Sequence, residues 1–352
     1  MRWKTKRTLG LAVTACTLYF CVSVLMQGRK TKLLLVEKNI EMITRNPNRK
    51  PVYSYRTDNN VYISNSTIDL GQEMAPDLSE LDRRTVIVSG FGQKEIMNGL
   101  GMIASIQAHM PNKQIIVYNF GIYQKRLETM KALCNVEVRK LPYNNYPIHV
   151  QHHENGAWKF LVIRDLLKEY AAVYFTSPKN RFRAPISLLL PFVKERHGII
   201  GNVDRKNRAV DVTHPSAYHI FNLTHTNFTN TYPNAPILSG NALLLVNNSA
   251  IYTTMLQPLR ACALSLSCIA PSGSTKHTVK PVGRMHTHRY EMSAFTLLMY
   301  KNFGDKWLND NHMEDTMQRI HHRLFLNSAN DHIWAHFCNP PKEEVTDKMK
   351  IS

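Results

Sequence analysis

Residues 154–183, ENGAWKFLVIRDLLKEYAAVYFTSPKNRFR, are the stretch that decides the fold. The first half carries apolar residues at helical spacing, so it predicts an amphipathic helix. Residues 171–175 form an almost wholly apolar run, which is typical of a strand buried on both faces of a sheet. The strand ends in a polar turn that carries Lys179, Arg181 and Arg183. Because ligands of open α/β sheets bind beyond the carboxyl ends of the strands, this turn is predicted to form the floor of a binding site.

Outward from this stretch, strand-like and helix-like segments alternate. Strands are predicted at residues 85–89, 114–119, 136–139, 171–175 and 242–246. Helices are predicted at residues 96–109, 123–133, 186–196, 251–266 and 292–300, besides the one that opens the quoted stretch. The alternation predicts an α/β fold, a Rossmann-type and mostly parallel sheet with helices on both faces.

The N-terminal segment 8–26 contains no charged residue and has basic residues on both sides. At about 1.5 Å per residue its length nearly matches a hydrocarbon core of about 30 Å, so it predicts one transmembrane helix and the lipid bilayer as a partner. A cleaved signal peptide is the alternative, but the segment lacks a small-x-small cleavage site, which favours a signal-anchor. The predicted organisation is a cytoplasmic tail (1–7), the transmembrane signal-anchor (8–26), a luminal stem (27–83), the α/β domain (84–326) and a C-terminal tail (327–352).

Tripeptides that accept N-linked glycans follow the hydrophobic segment, at Asn65, Asn222, Asn227 and Asn247. They favour a luminal C-terminal portion, and so a single-pass type II protein of the Golgi or endoplasmic reticulum membrane. Asn247 follows a predicted buried strand, which leaves its use open.

Of the six cysteines, Cys16 and Cys21 lie in the predicted transmembrane segment, where palmitoylation or packing are the options. The other four lie in the predicted luminal portion, where disulfides can form. Cys262 and Cys268 are six residues apart and predict a small-loop disulfide. Whether Cys134 pairs with Cys338 is left open by the sequence. No cysteine and histidine spacing is typical of a zinc site.

The formal net charge of +18 has two explanations, anionic partners or a generally basic surface. The predicted luminal placement and the lack of a recognition motif argue against nucleic acid. Anionic glycans, nucleotide diphosphates and lipid headgroups remain as partners. The alternative is that most of the lysines and arginines only solvate the surface.

Several segments carry a family resemblance, among them SGFGQKEIMNGLGMIASIQ, IIVYNFG, ENGAWKFLVIRDLLKEYAAVYF, ACALSLSCIAPSGS and HRYEMSAFTLLMYKNFG. Over residues 84–303 the chain resembles a family of type II membrane proteins, expanded in nematodes, that is grouped with nucleotide-diphospho-sugar transferases. The resemblance implies a GT-A-like fold. It also implies transfer of a sugar from a nucleotide-sugar donor to a luminal glycan or glycoprotein acceptor.

The chain departs from that pattern at the end of the strand in residues 171–175. Family members tend to place an acid there, and in metal-using transferases such an acid helps to hold Mn²⁺ or Mg²⁺ against the diphosphate. Thr176 and Ser177 stand at this point instead, so the acidic motif is degenerate and a metal cofactor is disfavoured.

Cationic side chains can neutralise a departing diphosphate in place of a metal ion. Lys179, Arg181 and Arg183 are the candidates for this role, and Lys159 is assigned to the donor side of the site. The alternative is a solvated loop behind a decayed motif.

The remaining candidates lie downstream. His286 and His288 are two residues apart on an extended segment, so they are predicted to face one side and to contact phosphate or a metal. Arg289 belongs to the same polar cluster and is a further candidate for phosphate binding. Glu291 is a candidate general base, although the helix dipole alone would favour an acid there.

Asp211 is the second candidate base, and His214 is a candidate for substrate contact, with a turn-stabilising role as its alternative. The run Ser239-Gly240-Asn241 is assigned to an acceptor loop, although a plain strand-entry turn would look the same.

Two functions of different classes follow. The first is a glycosyltransferase, whose catalysis could proceed without a metal ion. The second is a catalytically inactive, membrane-anchored protein that keeps the fold and binds glycans or a partner enzyme. A secreted structural protein is a third and weaker reading.

Overall fold

A six-stranded sheet forms the centre of the computed structural model, which describes residues 77–277, 285–305, 307, 311–323 and 335–338. The strands are β1 (Thr85–Phe91), β2 (Ile115–Asn119), β3 (Val136–Arg139), β4 (Ala172–Thr176), β5 (Asn180–Phe182), β6 (Ile199–Arg208), β7 (Pro236–Val246), β8 (Ser274–Thr275), β9 (His286–Thr287) and β10 (His321–Arg323).

Helices connect most of these strands. They are α1 (Leu78–Arg83), α2 (Ile96–His109), α3 (Gln124–Lys131), α4 (Ala157–Leu166), α5 (His225–Thr231), α6 (Ser249–Ile251), α7 (Gln257–Leu264), α8 (Leu266–Ile269), α9 (Glu291–Phe303) and α10 (Asn311–Ile320). A π-helical turn, Tyr252–Leu256, joins α6 to α7.

The order of the central sheet is β3-β2-β1-β4-β7-β6. Strands β3, β2, β1 and β4 pair in parallel, whereas β7 is antiparallel to both β4 and β6. The prediction of a mostly parallel α/β sheet is therefore confirmed. Two small sheets, β5 with β10 and β8 with β9, lie outside it.

Both faces of the sheet are covered, because alternate side chains of each strand enter different cores. Val86 and Val88 of β1 belong to one hydrophobic cluster, and Ile87 and Phe91 belong to the other. Helices α4, α7 and α9 pack in the first cluster, and α2, α3 and α10 pack in the second. Burying each such aliphatic side chain contributes roughly 1.5–3 kcal/mol, which explains the continuous apolar runs in the sequence.

Some elements differ from their predictions. The helix predicted at 186–196 is a 3₁₀ segment, Ile186–Phe192, because Pro191 lies inside it and cannot donate a backbone hydrogen bond. Strand β6 was not predicted, since its second half is polar and partly exposed. The predicted loop at Ser239 lies inside the long strand β7. Helix α1 lies ahead of residue 84, and its Leu81 is buried.

Two disulfides cross-link residues that the structure describes. The predicted bond between Cys262 and Cys268 is confirmed, and it ties α7 to α8. The pairing that the sequence left open also forms, between Cys134 and Cys338. It joins part of the predicted C-terminal tail to the loop after α3.

The predicted signal-anchor, most of the predicted stem, and Asn65 lie outside the described residues. Within residues that the structure describes, no helix is long and apolar enough to cross a membrane. Asn222 and Asn227 are exposed. The side-chain amide of Asn247 donates to the carbonyl of Leu167 at 2.6 Å.

Candidate functional site

The topology of the sheet creates a crevice at the carboxyl ends of β1 and β4. The chain leaves β1 towards β2 and β3, and then returns to the other side of β1 to form β4. The connections that leave these two neighbouring strands therefore run in opposite directions. Such a switch point is where open α/β sheets bind ligands.

A cavity of about 660 Å³ occupies this position. That volume lies within the range of about 300–1,000 Å³ that is usual for ligand sites. Its lining residues are Gly90, Gly92, Gln93, Lys94, Glu95, Phe120, Gly121, His153, Glu154, Trp158, Lys159, Phe175, Ser177, Pro178, Gly240, Asn241 and Lys276.

One wall of the cavity is aromatic. The rings of Phe120 and His153 stack with centroids 3.9 Å apart, and Trp158 meets Phe120 edge-on at 4.7 Å. A Cβ on Gly90 would lie 2.7 Å from the rings of both Phe120 and Trp158, so glycine lets β1 approach this wall. Tyr143 hydrogen-bonds the His153 ring, and burial lowers the pKa of His153. A largely neutral ring there offers a flat apolar face to a ligand.

Lys159, in the first turn of α4, also lines the cavity and forms an ion pair. Its ammonium lies 2.5 Å from Oε1 of Glu291 and 3.3 Å from the carbonyl oxygen of Gly240. The same ammonium lies 4.9 Å from the centre of the Phe175 ring. The pair is largely buried, so solvent screens it little.

Lys276 is the second cation of this part of the cavity. Its ammonium lies 5.1 Å from the centre of the Tyr290 ring. Burial lowers the pKa of Lys276, and the nearby carboxylates of Glu291 and Glu154 partly oppose that shift. The cavity therefore holds lysines beside carboxylates, an arrangement that can bind both anionic groups and hydroxyls.

The end of β4 carries the Thr176 hydroxyl where a carboxylate was expected. Thr176 is fully buried, and its hydroxyl accepts a hydrogen bond from the Asn180 side chain at 3.0 Å. The same amide donates to the carbonyl of Asn241 at 2.9 Å. No carboxylate is placed beside Thr176 by these contacts. Among the described residues, no group of three or more His, Cys, Asp and Glu side chains could hold a metal ion.

The basic turn after β4 contributes less to the cavity than the sequence suggested. Ser177 lines the cavity, whereas Lys179, Arg181 and Arg183 are not among the lining residues. The Arg181 guanidinium is buried and donates from one nitrogen to the carbonyls of Asn98, Pro178 and Asn180. Because that nitrogen is committed to backbone carbonyls, the structure does not bring Arg181 to the predicted phosphate site.

Arg183 of the same turn is exposed, and its backbone amide donates to the carbonyl of Ile320. Lys179 is half-buried. Neither is brought to the cavity.

The structure brings the three predicted histidines together, but away from the cavity lining. The rings of His286 and His288 lie 4.9 Å and 6.4 Å from that of His214, so the two face one side as predicted. His288 is fully buried; Nδ1 accepts from the backbone of His214, and Nε2 donates to the carbonyl of Cys268. Burial lowers the pKa of His288 to about 3. Its two nitrogens are used, which leaves no lone pair for a metal.

His214 has the turn-stabilising contacts that were the alternative to substrate binding. Its Nδ1 accepts from the backbone amide of Ser216, and burial lowers its pKa. Arg289, half-buried, donates its backbone amide to the carbonyl of Val212.

The two predicted bases have different surroundings. Asp211 is exposed and forms a bidentate ion pair with Arg208, outside the cavity lining. Glu291 is buried behind Lys159.

From the predicted acceptor loop, Gly240 and Asn241 reach the cavity, and the Ser239 hydroxyl accepts from the Asn241 side chain.

Several lining residues were missed by the sequence analysis. Lys94 follows the first predicted strand, so the rule of strand ends, applied to β1 as it was to β4, would have found it. Phe120 follows β2 in the same way. Lys276 had no such indication, because it lies far from any predicted strand end and reaches the cavity only through the tertiary fold.

Comparison with known proteins gives one family match. A family model described only as a protein of unknown function, DUF1647, matches residues 33–164. The search of curated proteins finds no match.

Solved structures that resemble the chain include three glycosyltransferases. The bifunctional glycosyltransferase WbbM is 12% identical over 67% of this chain and 51% of its own, with a TM-score of 0.36. An active-site mutant of LgtC is 12% identical over 50% of this chain and 59% of its own, with a TM-score of 0.33. Mouse xyloside xylosyltransferase 1 is 11% identical over 62% of this chain and 83% of its own, with a TM-score of 0.39. The chain thus spans between half and two-thirds of WbbM and LgtC.

Proposed function

We propose that the cavity binds a nucleotide-diphosphate sugar and that the protein is a glycosyltransferase of GT-A-like type that needs no metal ion. The observation that carries this proposal is the position of the cavity, at the switch point between β1 and β4, with lysines from separate elements converging there. Lys94 follows β1, Lys159 lies in the first turn of α4, and Lys276 follows β8.

The chemistry of the wall suits each part of such a ligand. Lysine ammonium groups stabilise phosphate oxygens and the charge of a departing diphosphate. The carboxylate of Glu95 lines the same cavity and can accept hydrogen bonds from sugar hydroxyls. The aromatic wall offers flat apolar surface to a base or to the C–H face of a sugar. The acceptor glycan would approach beside Gly240 and Asn241.

Nucleotide binding without a metal is the first test. Full-length protein should be stabilised against thermal unfolding by UDP, GDP or one of their sugar conjugates in the presence of EDTA. At a ligand concentration of about 100 times Kd, the stabilisation is about 2.7 kcal/mol. UMP and inorganic pyrophosphate separate recognition of the nucleoside from recognition of the phosphates. If no nucleotide diphosphate stabilises the protein, with or without Mn²⁺, the proposal is wrong.

A second candidate function is sugar-nucleotide or glycan binding without transfer. It is favoured by the surroundings of the predicted bases, since Asp211 pairs with Arg208 outside the cavity and Glu291 is held by Lys159. Release of free UDP or GDP from a bound donor in the presence of glycan acceptors distinguishes the two. Binding without release would support the non-catalytic protein.

We also propose a type II orientation in the Golgi or endoplasmic reticulum membrane, and membership of the nematode-expanded family with its degenerate acidic motif. Support comes from the uncharged segment 8–26 and from the exposure of Asn222 and Asn227. Expression of the full chain in animal cells should give a membrane-bound protein whose mobility increases after deglycosylation. A protein that is released by carbonate and carries no glycan would contradict this placement.

A further inference from the structure

The ion pair between Lys159 and Glu291 is an unusual feature of the cavity wall because both side chains are withdrawn from solvent. The Lys159 side chain is 17% exposed and that of Glu291 is 8% exposed. Oε2 of Glu291 is buried and has no hydrogen-bond partner in the part of the chain that the structure describes. The cost of burying two charges can exceed their mutual attraction, so a pair of this kind is poorly explained by stability alone.

The backbone that carries Glu291 is strained. Tyr290, the preceding residue, has φ 50° and ψ −118°, a backbone conformation that residues other than glycine rarely adopt. Three hydrogen bonds to other elements hold the segment. The backbone amide of His288 donates to the carbonyl of Thr275, and the backbone amide of Arg289 donates to the carbonyl of Val212. The His288 ring donates to the carbonyl of Cys268. The backbone strain at Tyr290 therefore lies directly before Glu291, the residue whose carboxylate contacts Lys159.

The residue that packs against the Glu291 carboxylate must also be small. Gly156, just before α4, has φ +70°, and a Cβ there would lie 2.4 Å from the carboxyl carbon of Glu291. A side chain at this position would displace the carboxylate and strain the backbone. Glu291 thus fits between Gly156 and the Lys159 ammonium because position 156 is glycine.

We propose that Glu291 is a positioning residue, which fixes the Lys159 ammonium at the cavity wall so that its remaining N–H meets a phosphate oxygen of the ligand. An ammonium has three donors; Glu291 and the Gly240 carbonyl accept two of them. This inference rests on the proposed binding of a nucleotide diphosphate. It replaces the role of general base for Glu291, because the carboxylate is held by Lys159 and is not among the residues that line the cavity.

Two isosteric variants of the full chain test the proposal by calorimetry, with UDP as the probe. Glu291→Gln and Glu154→Gln each remove one negative charge close to the cavity, and by charge alone both should tighten the binding of an anion. Positioning predicts a different result: Glu154→Gln tightens or preserves binding, whereas Glu291→Gln weakens it about tenfold. Equal affinities for the two variants, or tighter binding by Glu291→Gln, would overturn the proposal.

Variants that keep the charge provide the complementary test. Glu291→Asp should recover part of the affinity that Glu291→Gln loses, since a carboxylate can still approach Lys159. Gly156→Ala should weaken UDP binding although no charge is removed, because its Cβ displaces the carboxylate. Circular dichroism establishes that each variant is folded, and a folded Gly156→Ala variant with unchanged affinity would contradict the proposed geometry.

Labelling of Lys159 by an amine-reactive reagent, followed by mass spectrometry, tests the positioning itself without a nucleotide. Glu291 and the Gly240 carbonyl hold the Lys159 side chain and restrict the approach of the reagent. Labelling should therefore be slow in the wild type and in Glu154→Gln, and several-fold faster in Glu291→Gln. Equal rates would overturn the inference even if UDP binds. Faster labelling in Glu291→Gln, in a protein that binds neither UDP nor GDP nor their sugar conjugates, would support the positioning of Lys159 and refute the proposed function instead.

Discussion

Two basic regions of this molecule lie close to the end of β4, and they are used in different ways. The basic turn, residues 179–183, is contiguous in sequence, yet the Arg181 guanidinium is buried against backbone carbonyls and Arg183 is exposed. The cavity lysines, Lys94, Lys159 and Lys276, are far apart in sequence and converge on one space. A cluster of charge in the sequence is therefore a poor guide to which cations meet a ligand.

The contrast has a physical reason. A turn that follows a buried strand leaves several carbonyls without partners, and an arginine with five donors can satisfy them within the turn. The cavity lysines lie on different elements, and their side chains line the cavity. Lys159 donates there to Glu291 and to the Gly240 carbonyl, and its third N–H is left for a ligand. The comparison predicts that mutations in the two regions affect different quantities.

Arg181→Ala should produce the larger effect, and it should act on stability. Loss of the guanidinium removes hydrogen bonds to Asn98, Pro178 and Asn180 and leaves a void beside Gly101. Unsatisfied buried carbonyls and lost packing should reduce the free energy of unfolding by about 3 kcal/mol. Urea denaturation measures this change.

Arg183→Ala is the matched control, since the same side chain is exposed in the same turn. Its effect should be within about 0.5 kcal/mol, as for most surface substitutions. If Arg181→Ala left stability unchanged and abolished nucleotide binding, the basic turn would be the phosphate site after all, and the contrast between the two regions would fail.

Much of the fold could be predicted because the parallel strands are buried on both faces. Val86 to Val88 and Ile115 to Val117 are fully apolar in sequence because helices cover each side of them. Strand β6 could not be found in this way. Its polar second half is held by pairing with β7, and that pairing depends on tertiary contacts that leave no periodic pattern in the sequence.

The position of the candidate cavity could be predicted from the sequence, but only some of its lining residues could be named. The end of β4 was placed correctly at a cavity, since Phe175 and Ser177 line it. Lys159 and Glu291 were each singled out, but 132 residues separate them and nothing in the sequence indicates that they pair. The side chain of Arg181 pointed elsewhere because its direction depends on which carbonyls lie within reach, which only the folded turn determines.

Lys276→Met should produce the smaller effect, on binding rather than on stability, and it tests whether the cavity lysines carry phosphate recognition. Burial disfavours the charged form of Lys276 and lowers its pKa from 10.5, so part of the population is neutral at alkaline pH in the free protein. Glu291 and Glu154 favour the charge, whereas Lys159 and Arg289 oppose it.

A bound diphosphate adds negative charge and should raise the pKa of Lys276, so the protein should take up a fraction of a proton on binding at alkaline pH. Calorimetry in two buffers of different ionisation enthalpy measures that uptake. Lys276→Met should lose the uptake and bind about tenfold more weakly, which corresponds to one charged hydrogen bond of about 1.4 kcal/mol. Lys179→Met, in the basic turn, should retain both the uptake and the affinity. If Lys179→Met lost the uptake and the affinity while Lys276→Met retained both, the phosphate would bind at the basic turn. Proton uptake decides between the two regions because it identifies the amine that contacts the ligand, whatever the change in affinity.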